Sequence, residues 1–236
     1  MLLSFLAAVM AAQSAGQPSV SQAPAPSSSA ASAQERLDPR YVDCVEFLKA
    51  DLELGRIAAQ QWVDEGGGAP ARHCLAIADL EAGFPKLAAL RLEEIAQRKD
   101  AGDDYVRARL YSQAAEAWLE AEETGHAEAA LEKALALVPD SAELHLTAGK
   151  VYAAQERWQD AIEAITAAEE GGFASAETYV IRGRARYVLG AYERAADDVV
   201  AALSIDPVNV DALVLRGDLA RRGMTIDVYY DPPEKK

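Results

Sequence analysis

The chain is poor in the residues that usually carry chemistry. It holds two cysteines and three histidines, and neither a Cys-x-x-Cys pair nor a His-Glu-x-x-His segment occurs, so the familiar spacings of a zinc site are missing. There is no Gly-x-Ser-x-Gly nucleophile elbow. The glycine run Gly66 to Gly68 lacks the lysine and hydroxyl that a phosphate loop places after it, and reads as a hinge-like turn. His73, His126 and His145 share no motif and read as solvated or helix-packing side chains. The sequence therefore points to no enzyme, no catalytic residue, no metal ligand and no cofactor.

Basic residues are scarce as well, 23 Lys plus Arg against 38 Asp plus Glu, a formal net charge of −15. Phosphate backbones are bound by lysine and arginine, so a nucleic-acid partner is not expected. Long apolar runs are absent after the first residues. The opening run from Leu2 to Ala12 is too short for a bilayer span and is followed by small residues. It reads as a secretory signal over residues 1–15, although no Lys or Arg follows Met1; a retained amphipathic or core helix is the alternative. On the first reading the protein is exported, to the periplasm, and keeps no integral membrane segment once the signal is removed. No cysteine follows the run to take a lipid anchor. Residues 16–38, rich in Ala, Ser and Pro, have too little apolar surface to recover the entropy of ordering, and read as a disordered linker or a tether.

What the chain does have is helical periodicity. Trp158, Ala161, Ile162, Ile165 and Ala168 fall at spacings of three and four, and so do Tyr192, Ala195, Ala196, Val199 and Leu203. The pattern also repeats. Gly149, Gly183 and Gly217 stand 34 residues apart, as do Ala127, Ala161 and Ala195, and Ala134, Ala168 and Ala202, while Pro139 and Pro207 are two such intervals apart. Glycine inside a helix is about 0.8–1.0 kcal/mol worse than alanine, which points to a close crossing with a partner helix at Gly149 and Gly183. Gly190 falls in the turn between helices, where positive φ is needed.

A 34-residue period with two helices per unit resembles the tetratricopeptide repeat. That resemblance, to a bacterial exported type, implies an all-α fold: a right-handed superhelical array of antiparallel helix hairpins, an α-solenoid. Gly149, Ala161, Gly183, Ala195 and Gly217 match the small residues at the helix crossings, Tyr152 the first-helix aromatic, and Pro139 and Pro207 the closing proline. Regular repeats are expected over residues 108–223 and degenerate ones over 39–107. In the latter, about five residues are inserted within QRKDAGDD, Gly83 marks one turn and Gly55 another. Residues 224–236 alternate apolar and polar positions up to Pro232 and read as an extended tail, capping the last helix or docking elsewhere.

Cys44 and Cys74 fall on the first helices of adjacent units, which lie side by side in the family. An even cysteine count in an oxidising compartment favours a disulfide between them over two separate buried thiols. Trp62, Trp118 and Trp158 sit at helical spacing and read as packing residues rather than a ligand cage. The resemblance further implies a concave wall of first helices that grips a protein or peptide partner. Its inward residues are Leu146, Lys150 and Ala153, then Val180, Arg184 and Tyr187, then Val214, Asp218 and Arg221. Lys150 and Arg184, 34 residues apart, form a basic stripe on this wall, either for a partner's carboxylates or simply solvated. The family's chaperone-tail clamp needs asparagine and lysine where Leu146 and Val180 stand, so that partner is not expected. The function implied is a non-catalytic scaffold or adaptor in the cell envelope, with a structural subunit of one obligate complex as the alternative.

Overall fold

The structure, a computed structural model, describes residues 38–226. The expected signal, the linker up to residue 37 and the tail beyond Ile226 lie outside the described residues. Eleven helices follow in order: α1 (Pro39–Ala50), α2 (Leu52–Asp64), α3 (Gly68–Glu81), α4 (Pro85–Ala96), α5 (Asp104–Glu120), α6 (Thr124–Leu137), α7 (Ala142–Ala154), α8 (Trp158–Glu170), α9 (Ala176–Val188), α10 (Tyr192–Ile205) and α11 (Val210–Ala220). No strand occurs among the described residues. Successive helices pair as hairpins, α1 with α2 through α9 with α10, and the first helices of neighbouring hairpins also touch.

First and second helices start by different physics. Most first helices begin on a short polar side chain that accepts from a free N–H of the first turn: Asp38, Asp103, Ser141, Ser175 and Asn209. At Ser175 the arrangement is a full capping box with Thr178. α3 has no capping side chain of its own, and Asp100, from the loop after α4, supplies the acceptor to Ala69 N at 3.2 Å.

The second helices α4, α6, α8 and α10 have no side-chain cap. Each is entered through a residue at positive φ: Gly83 (81°), Glu122 (60°), Glu156 (59°) and Gly190 (78°). The next residue returns its N–H to a carbonyl five positions back, as Glu123 does to Trp118 at 2.9 Å and Ala191 to Arg186 at 2.8 Å. This closes the preceding helix as a Schellman motif.

The glycines divide by environment. A Cβ built on Gly149 would lie 2.4 Å from Ile165 Cδ1, and one on Gly183 would lie 3.1 Å from Asp198 Cβ and from Leu215 Cδ2. Ala161 and Ala195, opposite them, are fully buried. At Gly217 the same Cβ would meet nothing within 4 Å. The crossing expected at Gly217 is therefore not made among the described residues, because no helix there follows α11.

Two details of the expected layout change. Gly55 is not at a turn but inside α2, where a Cβ would be 2.9 Å from Leu48 Cα. The turn is the single residue Asp51, extended at φ −153°, which ends α1 and caps α2 through Leu54 N. The boundary drawn at residues 107/108 falls inside α5, which starts four residues before the position that the 34-residue period assigns. The extra turn is fixed by Asp103 capping Val106 N and by Arg107 Nε donating to the Ala96 carbonyl at 2.9 Å. In the Gly66 to Gly68 turn, Gly66 and Gly68 have positive φ, and a Cβ on Gly67 would strike the Trp62 ring at 2.3 Å.

Alanine dominates the core. One buried cluster runs from α3 to α8 around Leu92, Ile95, Trp118, Leu131 and Leu144, and a second joins α9, α10 and α11 around Val199, Leu203, Leu215 and Leu219. Met224 and Ile226, the first apolar residues of the expected tail, pack half-buried against the second cluster. Trp62 and Trp118 are buried and Trp158 half-buried, on α2, α5 and α8. His126 is exposed and stacks on Trp118 with ring centroids 4.7 Å apart.

Candidate functional site

The first helices α5, α7, α9 and α11 bring one repeat position into a column. Glu116, Lys150, Arg184 and Asp218 occupy it at intervals of 34. Lys150 Nζ lies 2.8 Å from Glu116 on α5 and 2.9 Å from Glu177 on α9. Arg184 Nη1 lies 2.6 Å from Asp218, which Arg221 also contacts. A second rung joins Arg109 on α5 to Glu143 on α7 at 3.4 Å. Below it the buried hydroxyls of Ser112 and Thr147 share a hydrogen bond of 2.8 Å.

The basic stripe is thus neutralised from within. Burial works against the charge of Lys150, and the flanking carboxylates of Glu116 and Glu177 outweigh it, raising the ammonium above its ordinary range. The signal for this pairing was in the sequence, since an acid stands one period before Lys150 and another one period after Arg184.

Of the residues expected to face a partner, Leu146 is 3% exposed and packs on Ile165 and Ala168, so it offers no surface. The hydrophobic side chain turns into the hairpin that Gly149 allows to close tightly. Ala153, Val180 and Tyr187 are half-buried. Val214 is 50% exposed, and the side chains of Arg184 and Arg221 are 48% and 76% exposed. Arg222 donates to Tyr187 Oη at 3.4 Å and lies over the rings of Tyr187 and Tyr192. Of the residues expected on the wall, the exposed ones therefore gather at its α9–α11 end, where Val214 stands near the Arg184–Asp218–Arg221 pairs.

At the other end the first helices are cross-linked. Cys44 on α1 and Cys74 on α3 form a disulfide with Cα atoms 6.5 Å apart. Beside it, Tyr41 Oη hydrogen-bonds His73 Nδ1 at 2.7 Å, and His73 Nε2 hydrogen-bonds Gln113 Oε1 at 2.8 Å. Because the amide oxygen only accepts, His73 carries its proton on Nε2 and Tyr41 donates to Nδ1. Burial lowers the His73 pKa below its ordinary value, and burial pushes Tyr41 up to about 12 against the pull of Arg109. This chain across α1, α3 and α5 was not expected from the sequence.

Two buried carboxylates lie away from the wall. Asp79 is gripped by Arg56 Nε at 2.8 Å and Arg91 Nε at 2.6 Å. Asp198 on α10 accepts from Arg182 Nε at 3.0 Å and Nη2 at 2.9 Å, and from Arg186 at 2.7 Å, while Arg182 also contacts Glu169. Burial raises the Asp198 pKa despite both guanidiniums. At 2% exposure this carboxylate has packing partners but no access for a substrate. A shallow cleft of 340 Å³ beside α2, lined by Arg56, Ile57, Gln60, Gln61, Asp64 and Leu75, holds no nucleophile with an adjacent base. No described helix is long and apolar enough to cross a membrane.

No protein-family model matches the chain, and no curated protein matches it. Solved structures do. The APC/C hetero-tetramer Cut9–Hcn1 aligns with a TM-score of 0.66 at 15% identity, covering 78% of this chain and 36% of that one. A thermophilic TPR protein of Thermus thermophilus aligns with a TM-score of 0.59 at 18% identity, covering 77% and 96%. MamA of Desulfovibrio magneticus RS-1 gives 0.56 at 19%, covering 66% and 85%. At such identities the likeness concerns architecture. The hairpins, the 34-residue register and these alignments together show that the chain has the tetratricopeptide-repeat fold, an α-solenoid of antiparallel helix pairs.

Proposed function

We propose that the protein is a non-catalytic scaffold that binds a segment of a partner protein along the α9–α11 end of its first-helix wall. One observation carries the reading: Val214 stands 50% exposed on α11 one turn before Asp218, whose ion pairs with Arg184 and Arg221 leave those arginine side chains 48% and 76% exposed. An exposed valine on the helix that carries Arg221 and meets Arg184 suits an extended or helical segment carrying both an apolar anchor and a carboxylate. Lys150, held between Glu116 and Glu177, serves the array rather than the partner. Export to the cell envelope forms part of the proposal, supported by the Cys44–Cys74 bridge, which persists in oxidising compartments.

A photo-crosslinking amino acid at 187, 214 or 221, compared with one at 129 or 163 on the second helices, tests the surface in cells. Adducts with one protein from the wall positions, lost in Val214→Asp, are expected. Adducts from the second helices alone would reject the assignment. The alternative of an obligate structural subunit draws on exposed Leu54 and Ile57 on α2 and Leu87 and Leu90 on α4. It requires crosslinks from those positions and an isolated protein that is insoluble or oligomeric.

A further inference from the structure

α11 repeats a helix-packing face on which no described helix lies. In α9 that face is Tyr179, Arg182, Gly183 and Arg186, and α10 covers it. The carbonyl of Ala195 would be 3.5 Å from a Cβ at Gly183, and Arg182 holds Asp198 with two hydrogen bonds to Oδ1. One period later, 34 residues on, the face is Leu213, Arg216, Gly217 and Ala220, spaced at i, i+3, i+4 and i+7 as a helix stripe requires. Gly217 has open space where a Cβ would point. Arg216, half-buried, makes no hydrogen bond or ion pair among the described residues.

We propose that this face of α11 is a docking site for an α-helix of a partner protein that carries an alanine and, three residues later, an aspartate. The alanine sits over Gly217 and the aspartate pairs with Arg216. Charge decides the chemistry, because Arg216 stands in the register of Arg182, whose carboxylate partner comes from the covering helix. Shape decides the rest: glycine at the crossing admits a helix bearing a small residue and leaves a larger side chain no hold. A second folded copy cannot supply that helix, since its own Ala195 and Asp198 are buried in its own α9–α10 hairpin. This surface is distinct from the wall above, which uses Val214 and Arg221 on another side of α11.

The probe is a peptide of the α10 sequence, Tyr192–Ile205, stapled through the exposed positions 193 and 197 so that it is helical when isolated. Titrated into the isotope-labelled full chain, it is expected to shift α11 amides at Leu213, Gly217 and Ala220. Arg216→Glu should weaken binding about tenfold, the scale of a charge-assisted hydrogen bond, and a peptide with Asp198→Arg should recover it. Gly217→Leu should abolish binding with an unchanged circular dichroism spectrum. Absence of binding overturns the proposal, as does binding indifferent to both variants or shifts confined to another face. Binding seen only after removal of residues 227–236 would overturn it too, by assigning the face to the chain's own tail.

Discussion

Glu122 and Gly190 hold the same left-handed turn in hairpins two units apart, at φ 60° and 78°. Glycine takes that conformation without strain, whereas a residue with a Cβ loses roughly 1–2 kcal/mol there. Glu156 shares the position in the hairpin between them. Neither glutamate makes a side-chain hydrogen bond among the described residues that would hold it there. Glu122→Gly and Glu156→Gly are each expected to stabilise the protein by about 0.5–1 kcal/mol, the relief of strain being partly offset by a more flexible unfolded chain. Gly190→Glu should destabilise it by about 1 kcal/mol. Denaturant midpoints at constant m-value check all three.

The crossing at Gly149 leaves no room for a methyl group. Gly149→Ala drives a Cβ into buried Ile165 and should destabilise by about 1–3 kcal/mol. The same change at Gly217 meets no described atom and should be neutral or stabilising by up to about 1 kcal/mol. Ile165→Val combined with Gly149→Ala should lose less than the sum of the two single changes, read by a double-mutant cycle on thermal unfolding.

The Cys44–Cys74 bridge closes a 30-residue interval. In the chain-entropy account such a loop contributes roughly 3–4 kcal/mol. The Cys44→Ser, Cys74→Ser protein should lose about that much stability. The gain in amide exchange should concentrate in α1 and α2, the hairpin that loses its covalent tie to α3 and keeps the Tyr41–His73 hydrogen bond and the Arg56–Asp79 pair.

His73 is buried between Tyr41 and Gln113 with a lowered pKa. Below the ordinary histidine value the unfolded chain takes up a proton that the folded chain refuses, so stability falls as pH drops through about 6.5. The limiting slope for one such group is about 1.4 kcal/mol per pH unit. Thermal unfolding between pH 8 and pH 5 should show this decline, and His73→Gln should flatten it while lowering stability at pH 8 through the altered hydrogen bonds.

Much of the fold was legible because small residues recur with a fixed period, and Gly149 lies where a side chain would collide and Gly183 where one would be crowded. Gly55 misled because a glycine between two helical segments resembles a turn, whereas Asp51 makes that turn alone by capping one helix as it ends another. The wall was legible by position but not by exposure. Lys150 and Arg184 face along it, and Glu116 and Asp218, one period away on either side, mark their pairing, whereas Glu177 lies off that column and meets Lys150 only when the units are stacked. Leu146 was hidden for a related reason: the glycine that draws the hairpin together also draws this leucine inward. Tyr41, His73 and Gln113 are separated by 32 and 40 residues, off the 34-residue period, so no repeat pattern marked their meeting.

The rungs Arg109–Glu143, Glu116–Lys150, Lys150–Glu177 and Arg184–Asp218 each tie one hairpin to its immediate neighbour. Such an assembly behaves as a chain of coupled springs, in which a disturbance spreads by handing over from link to adjoining link. Added electrolyte, which weakens partly exposed ion pairs, should therefore make the array more pliant while each hairpin keeps its own geometry.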